Sequence, residues 1–492
     1  MGVFQNNLMG AAAAAASGGG GTTIYDHQIA KSARFQLANS SYMYRTPSSA
    51  GNRRTWTYST WVKRTKYNIN TSFFGATRSG YENVFRFEDT SGADRINLFG
   101  FTGAGLDFNV KTTASYRDSS AWYHIVIAMD TTQGTSSNRL KLYVNGEQQT
   151  DLSSSSYPSQ NYDTNVNDTS TQTQVGYGSY GGQYFDGYIA ESVLIDGTQY
   201  AASDFGETVN GVWVPKDPSG LTFGTNGFYL NYASSGDLGN DVSGNNNDLT
   251  VSGVAAHDSM LDSPTFNSDS NGGNFATYNP LSPTTNGAVF TEGNLKSSPA
   301  SNWSSTTYIK TTMAIPKDKK IYFEASDAGS NGGLFSVGVA IESGVPSGTN
   351  VGGAGAVTIY DSQKYVNGSA SSFMSQASAG DIIQVAVDGA TGKVWLGINN
   401  TWGGSGNPSA GSNEAGTITN TANEDLLPVV CQNSASNLVI NFGQDGTFAG
   451  AKTAQGNKDG TGYGNFYYAP PTDFLALCSG NLTVAAEVDP AQ

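Results

Sequence analysis

Charge is what this chain has least of: only 13% of its 492 residues are Asp, Glu, Lys or Arg, about half of the roughly 25% usual in globular domains. Its surface must therefore be built from hydroxyls and amides rather than from salt bridges. What charge there is leans acidic, with 25 Lys and Arg against 40 Asp and Glu and a formal net charge of −15. Proteins that track phosphate backbones carry a basic stripe. None occurs here, which excludes nucleic acid as a partner, and the acidity is read as keeping copies soluble and apart rather than as recognition of a basic partner.

Cysteine is nearly missing. Cys431 and Cys478 are too few for a disulfide scaffold and lack metal-ligand spacing, so free buried thiols are expected. The three histidines, His27, His124 and His257, are scattered, and each is expected to be a satisfied structural group. No Lys or Arg precedes Lys31, which excludes a secretory signal with its basic start. The apolar run through Ala11–Ala16 falls far short of the roughly 20 residues that span a bilayer, so no membrane insertion is expected. Asn6 stands where a myristoylation motif after Met1-Gly2 needs Ser or Thr. The run ends in Ser17 and four glycines, a flexible linker, and three readings of residues 1–21 stay open: a docking peptide, a short arm that orders against another protein, or a disordered leader.

Glycine (61 residues), tyrosine (26) and phenylalanine (23) are plentiful, and aromatics at 11% supply bulk for packed cores. Length suggests about two or three domains. The run Trp122–Asp130 alternates with period two, Tyr123, Ile125 and Ile127 facing one way and His124, Val126 and Ala128 the other. Leu140, Leu142 and Val144 repeat the pattern before Asn145-Gly146, a pair suited to a tight hairpin. The fold class read from these patterns is all-β, two antiparallel β-sandwich (jelly-roll) domains in tandem.

These residues also carry resemblances. The Trp-Tyr-His strand, the Leu-x-Leu-Tyr-Val-Asn-Gly hairpin, Phe185–Glu191 and Thr57–Arg64 resemble laminin-G-like modules of the concanavalin A-like lectin/glucanase group. An Asp-x-Ser-Gly-Asn turn at 241–245 sits near the start of such modules, and its place at the end here implies that the two ends of the domain pair. Lys320–Glu324, Leu334–Ile341, Gly380–Asp388, Gly392–Asn400, Leu427–Val430 and Leu438–Gly443 resemble the successive strands of a SPRY domain. The ending Tyr467–Leu482, and the pairing of the two modules, resemble structural proteins of tailed bacteriophages. The expected layout is an N-terminal arm and linker (1–21), a laminin-G-like jelly roll (22–256) with a long exposed loop over 153–173, an extended connector (257–301), a SPRY-like sandwich (302–450) and a C-terminal tail (451–492).

Catalysis finds no support in the sequence. Glucanases of this group set acid and nucleophile on one strand as Glu-x-Asp-x-x-Glu, the spacing a two-carboxylate mechanism needs. No such run occurs: Glu88 and Asp89 are adjacent, and Glu324 and Asp327 are separated by an odd number, so each pair diverges. There is no nucleophile elbow, phosphate loop or paired-cysteine metal site. The chain is expected not to be an enzyme.

Binding is the better candidate. A sugar offers its C–H side to an aromatic face and its hydroxyls to amides and carboxylates. Tyr177, Tyr180 and Tyr184 ride among glycines in Gly176–Phe185 and are the leading carbohydrate-binding candidates, the competing reading being that they cover a sandwich edge or a contact between subunits. Trp395 is expected in the core, whereas Trp402 and Tyr360 are candidates by their place in a SPRY-like module. No cofactor is expected; calcium is the one weighed, because Asp237, Asp241 and Asp248 offer hard oxygen ligands, but such clusters more often cap turns. The function expected is that of a non-enzymatic phage virion protein, a tail-fibre, tail or head-fibre component on the virion surface, which attaches to host-surface glycans. The alternative is a structural tail or capsid decoration protein. Expected partners are glycans, other virion proteins through the N-terminal arm, and further copies in a homo-oligomer, although no coiled-coil heptad supports the last.

Overall fold

The computed structural model describes residues 24–103, 105–266, 271–282, 287–298, 307–328, 335–344, 353–432 and 436–482. The N-terminal arm expected over 1–21 and the last ten residues of the tail lie outside them. Every named strand pair is antiparallel, the only helical turns among the described residues are three-residue 3-10 turns, and the chain divides into two units at Thr265 and Phe266. The fold is all-β and built from antiparallel sandwiches.

The first unit packs two eight-stranded sheets face to face. One runs in the order 147–148, 140–144, 122–130, 55–64, 187–196, 32–35, 259–260, with Phe228–Leu230 also paired to 187–196; the other runs 152–156, 105–115, 95–102, 81–88, 71–78, 172–175, 42–45, 250–252. The alternation read from the sequence is realised: Ile125 and Ile127 enter the core between the sheets with Trp56, Tyr58, Phe74 and Phe85. Tyr58 and Phe74 stack across the layers at 3.8 Å, and burying each such side chain contributes about 1.5–3 kcal/mol. Asn145 (φ 48°) and Gly146 (φ 83°) make the expected turn. The two ends of the unit do pair, Ser32–Phe35 with Ser259–Met260 and Tyr42–Arg45 with Thr250–Ser252.

A third layer covers the first sheet. Residues 197–223 fold back over it, placing Phe205 and Phe223 against Val126, Val193 and Ile195. His124, on that face, is buried: its Nε2–H donates to Ser59 Oγ at 2.8 Å and its Nδ1 accepts from Trp213 Nε1 at 3.0 Å. Its ring stacks on Trp61. Burial pushes its pKa down to about 3, so it is a neutral packing residue.

Two stretches read as loose from composition are pinned instead. Asp258 and Asp262, in the expected connector, are buried. Asp258 accepts from Arg34 Nε at 2.8 Å, and Asp262 accepts from Lys63 Nζ at 2.8 Å and Trp122 Nε1 at 3.1 Å. Burying a charged group is costly unless it is paired, and these partners lie in the first unit, so 257–265 is part of it. Within the expected exposed loop, Thr164, Asn165, Val166 and Asn167 are buried, Thr164 accepting from Trp56 Nε1 at 2.9 Å.

The second unit begins at Phe266 and also holds two sheets. One is ordered 289–291, 296–298, 438–441, 320–327, 382–388, 393–398, 401–402; the other is ordered 307–310, 426–432, 335–341, 356–360, 363–366, 369–372. The rest of the expected connector thus supplies strands Val289–Thr291 and Lys296–Ser298. The tail is likewise integral, because Leu475 exchanges backbone hydrogen bonds with Lys320 and Tyr322. Glu324 is fully buried and accepts from the backbone N–H groups of Tyr467 (2.9 Å) and Tyr468 (2.7 Å), from Tyr322 OH and from Asn441 Nδ2. Burial pushes its carboxyl up to about 7 against those donors. Trp395 is buried as expected, and Cys431 and Cys478 are free buried thiols.

Candidate functional site

The outer face of the second sheet of the first unit is built differently from the face that 197–223 covers. Met43 points into the core, so its neighbours Tyr42 and Tyr44 point outward. Across this face lies a short hairpin in which Tyr177–Gly178 pairs with Gln183–Tyr184. It can lie flat because two glycines permit it: a Cβ on Gly75 would fall 2.7 Å from Tyr177 O, and one on Gly178 would fall 2.5 Å from Ser72 Oγ. Arg86 ties the hairpin down from below, Nη1 donating to Gln183 Oε1 at 3.3 Å.

The result is a cluster of four half-buried tyrosines. Tyr177 and Tyr184 are cross-strand partners with ring centroids 4.4 Å apart. Tyr42 lies 5.2 Å from Tyr177 and 6.0 Å from Tyr184, and stacks on Tyr44 at 5.3 Å. Glu82 stands beside them: burial raises its pKa, its Oε2 is shielded with no hydrogen-bond partner among the described residues, and its charge acts on Tyr177. The Tyr177 hydroxyl is itself raised, first by burial and then by Tyr184, Tyr42 and Glu82. Apolar ring faces with phenolic tips form a surface that suits the C–H face and hydroxyls of a sugar.

Of the three tyrosines singled out in the sequence, Tyr177 and Tyr184 meet and Tyr180 does not join them. Tyr180, 42% exposed, lies edge-on to Phe99 (5.2 Å) and Phe101 (5.6 Å). Tyr42, Tyr44 and Glu82 were not legible as site residues. The signal for the first two was the outward parity of Tyr42-Met43-Tyr44, which identifies a face only once Met43 is known to be core.

In the second unit Tyr360 lines a small, partly open cavity of about 10 Å³, room for about one water, with Phe335, Ile359, Asp361, Ala377, Ile383 and Ile398. Trp402 is half-buried and lies over its strand neighbour Gly397, where a Cβ would fall 3.1 Å from the indole ring; it does not line that cavity.

The aspartates considered for calcium serve the loop instead. Asp241 Oδ1 accepts from the N–H groups of Tyr229 and Ser243, and Oδ2 from Ser243 Oγ and the Asn247 N–H. Asp248 accepts from the Asp241 N–H at 2.9 Å. Four donors on one carboxylate leave it little capacity for a cation. The carboxylates of Asp237, Asp241 and Asp248 do not all come within 4.8 Å of one another.

The chain is similar in structure to a proposed carbohydrate-binding protein from Bacteroides ovatus, at 18% identity and a TM-score of 0.34 over 46% of this chain and 60% of that one. It is similar to the SPRY domain of human HERC1, at 15% identity and a TM-score of 0.25 over 33% of this chain and 96% of that one. A third similarity is to the enzymatically active domain of tailspike protein 2 of bacteriophage CBA120, at 14% identity and a TM-score of 0.27 over 35% of this chain and 26% of that one. This chain thus spans 60% of the length of the Bacteroides protein. No curated protein matches it. The family model for the Concanavalin A-like lectin/glucanases superfamily matches residues 37–200, and the first unit has a concanavalin A-like fold.

Proposed function

We propose that this chain is a non-enzymatic glycan-binding protein, carried on the surface of a tailed-phage virion as a tail or head appendage, that attaches to host-surface polysaccharide through the tyrosine platform of its first unit. The observation that carries the reading is the convergence of Tyr42, Tyr44, Tyr177 and Tyr184, with Glu82, on one outer sheet face. The lectin-like family match over 37–200 supports the binding class. The virion setting rests on the resemblance of the Tyr467–Leu482 ending and of the paired modules to phage structural proteins.

The carboxylates of the same face support binding without hydrolysis. Glu82 and Glu88 share a strand and a face, but six residues separate them by about 20 Å, beyond the roughly 5–9.5 Å that glycoside hydrolysis uses. Glu88 is moreover engaged by Arg86 at 2.6 Å and by Lys111.

The test is an array of bacterial surface polysaccharides probed with the full chain and with a Tyr177→Ala, Tyr184→Ala double variant. Retention of particular glycans by the native chain, lost in a variant that melts as the native chain does, is the expected result. A folded native chain that retains none would move the protein to the structural reading, in which the sandwiches are packing surfaces between virion subunits.

A further inference from the structure

The hairpin over the open face divides it into two aromatic surfaces rather than one. On one side are the four tyrosines. On the other, the hairpin tip sets Tyr180 against Phe99 and Phe101. The register extends this second surface: Glu82 pairs with Phe101, and Phe101 pairs with Leu106, so all three side chains share the outward face. Leu106 is 61% exposed, the highest value of any large hydrophobic residue described. Glu82 lies between the surfaces, acting on Tyr177 through its charge and opposing Phe101 across the strands.

The span between the surfaces follows from strand order. Tyr44 pairs with Gln174, Gln174 with Gly75, Gly75 with Val84 and Val84 with Phe99. Four strand steps amount to about 19 Å, more than one sugar ring covers. Glu82 puts negative charge between the surfaces, and a ligand bearing carboxylates or phosphates would meet that charge, and the net −15 of the chain, unfavourably.

Resting on the glycan-binding reading of this face, we infer that the ligand is the main chain of an uncharged or amino-bearing polysaccharide, which lies across the hairpin with different sugars on the tyrosine platform and on the Tyr180–Phe101–Leu106 surface. A terminal sugar would use the platform alone. The second surface is continuous with the first through Glu82, and its half-exposed rings offer a chain the same kind of stacking that the platform does.

The experiment is a titration of the full chain with cello-, laminari- and malto-oligosaccharides from disaccharide to octasaccharide, beside Tyr180→Ala, Leu106→Ser and Tyr177→Ala variants. Affinity for at least one series is expected to rise about tenfold or more between the short and long members. Tyr180→Ala and Leu106→Ser should abolish that rise and leave binding of the short members unchanged, whereas Tyr177→Ala should weaken all lengths. Affinity that is flat with length, or a rise that survives both second-surface variants, would overturn the inference while leaving the platform reading standing. Absence of binding at every length in all three series would overturn the inference, and the array result would then decide the platform reading separately. Tighter binding of uronic acid oligomers than of any neutral series would overturn the charge selection.

Discussion

The two outer faces of the first unit begin from similar strands and end differently. On one sheet Val126, Val193 and Ile195 are covered by Phe205 and Phe223, and His124 has both ring nitrogens engaged. On the other an eight-residue hairpin crosses the strands, leaving four tyrosines half-exposed. The difference separates two uses of aromatic side chains that composition cannot distinguish. Rings under the layer are spent on packing, and the rings in and beside the hairpin stay half-exposed.

Substitutions should separate the two faces, and the largest effects belong to the covered one. Phe205→Ala is expected to destabilise the first unit by about 3–5 kcal/mol, the range for truncating a buried aromatic, measured by denaturant unfolding. Asp262→Ala should cost a similar amount, about 3–5 kcal/mol, because it removes the carboxylate facing a buried lysine ammonium. A change below about 1 kcal/mol would contradict the placement of 257–265 in the first unit.

His124 gives the covered layer a pH signature. Its folded pKa of about 3 lies below its ordinary 6.5, so the folded state binds fewer protons than the unfolded one. The contribution is fully present above pH 6.5 and is lost as pH falls toward 3. The native chain should therefore lose stability across that window more steeply than His124→Asn, in thermal unfolding of the first unit. Glu324 acts with the opposite sense in the second unit. Its folded pKa of about 7 exceeds the ordinary 4.5, so stability present below 4.5 is lost as pH rises through 7, and Glu324→Gln should flatten that slope.

Smaller effects are expected at the periphery of the comparison. Asp241→Ala removes the acceptor of four donors and should cost about 1–3 kcal/mol, with no change in glycan retention and no calcium-dependent shift of the native melting temperature. The Tyr177→Ala, Tyr184→Ala variant should cost about 1 kcal/mol, the scale of one aromatic pair, although it removes binding.

The strands were legible because their period of two is local. Trp122–Asp130 and Leu140–Val144 follow directly from alternation, and Asn145-Gly146 from turn chemistry. The platform was half legible: glycines around Tyr177 and Tyr184 marked an exposed backbone, but Tyr42 reaches it from a strand paired 130 residues away in sequence, Gln174 opposing Tyr44. The segment 257–301 was misread for a related reason. Its Asp, Ser and Thr residues look solvent-directed, yet Asp258 and Asp262 are held by Arg34 and Lys63, and only the fold shows which of the few charges find buried partners. Asp241 was offered to a cation because composition does not reveal that its oxygens are already occupied by loop donors.

The most direct measurement is hydroxyl-radical footprinting of the full chain with and without a retained polysaccharide, read residue by residue. Protection of Tyr42, Tyr44, Tyr177 and Tyr184, with Trp213, Tyr360 and Trp402 unchanged, is the result expected if the open face of the first unit is the binding surface. Protection confined to Tyr360 and Trp402, or none at the four tyrosines while the polysaccharide is bound, would contradict it.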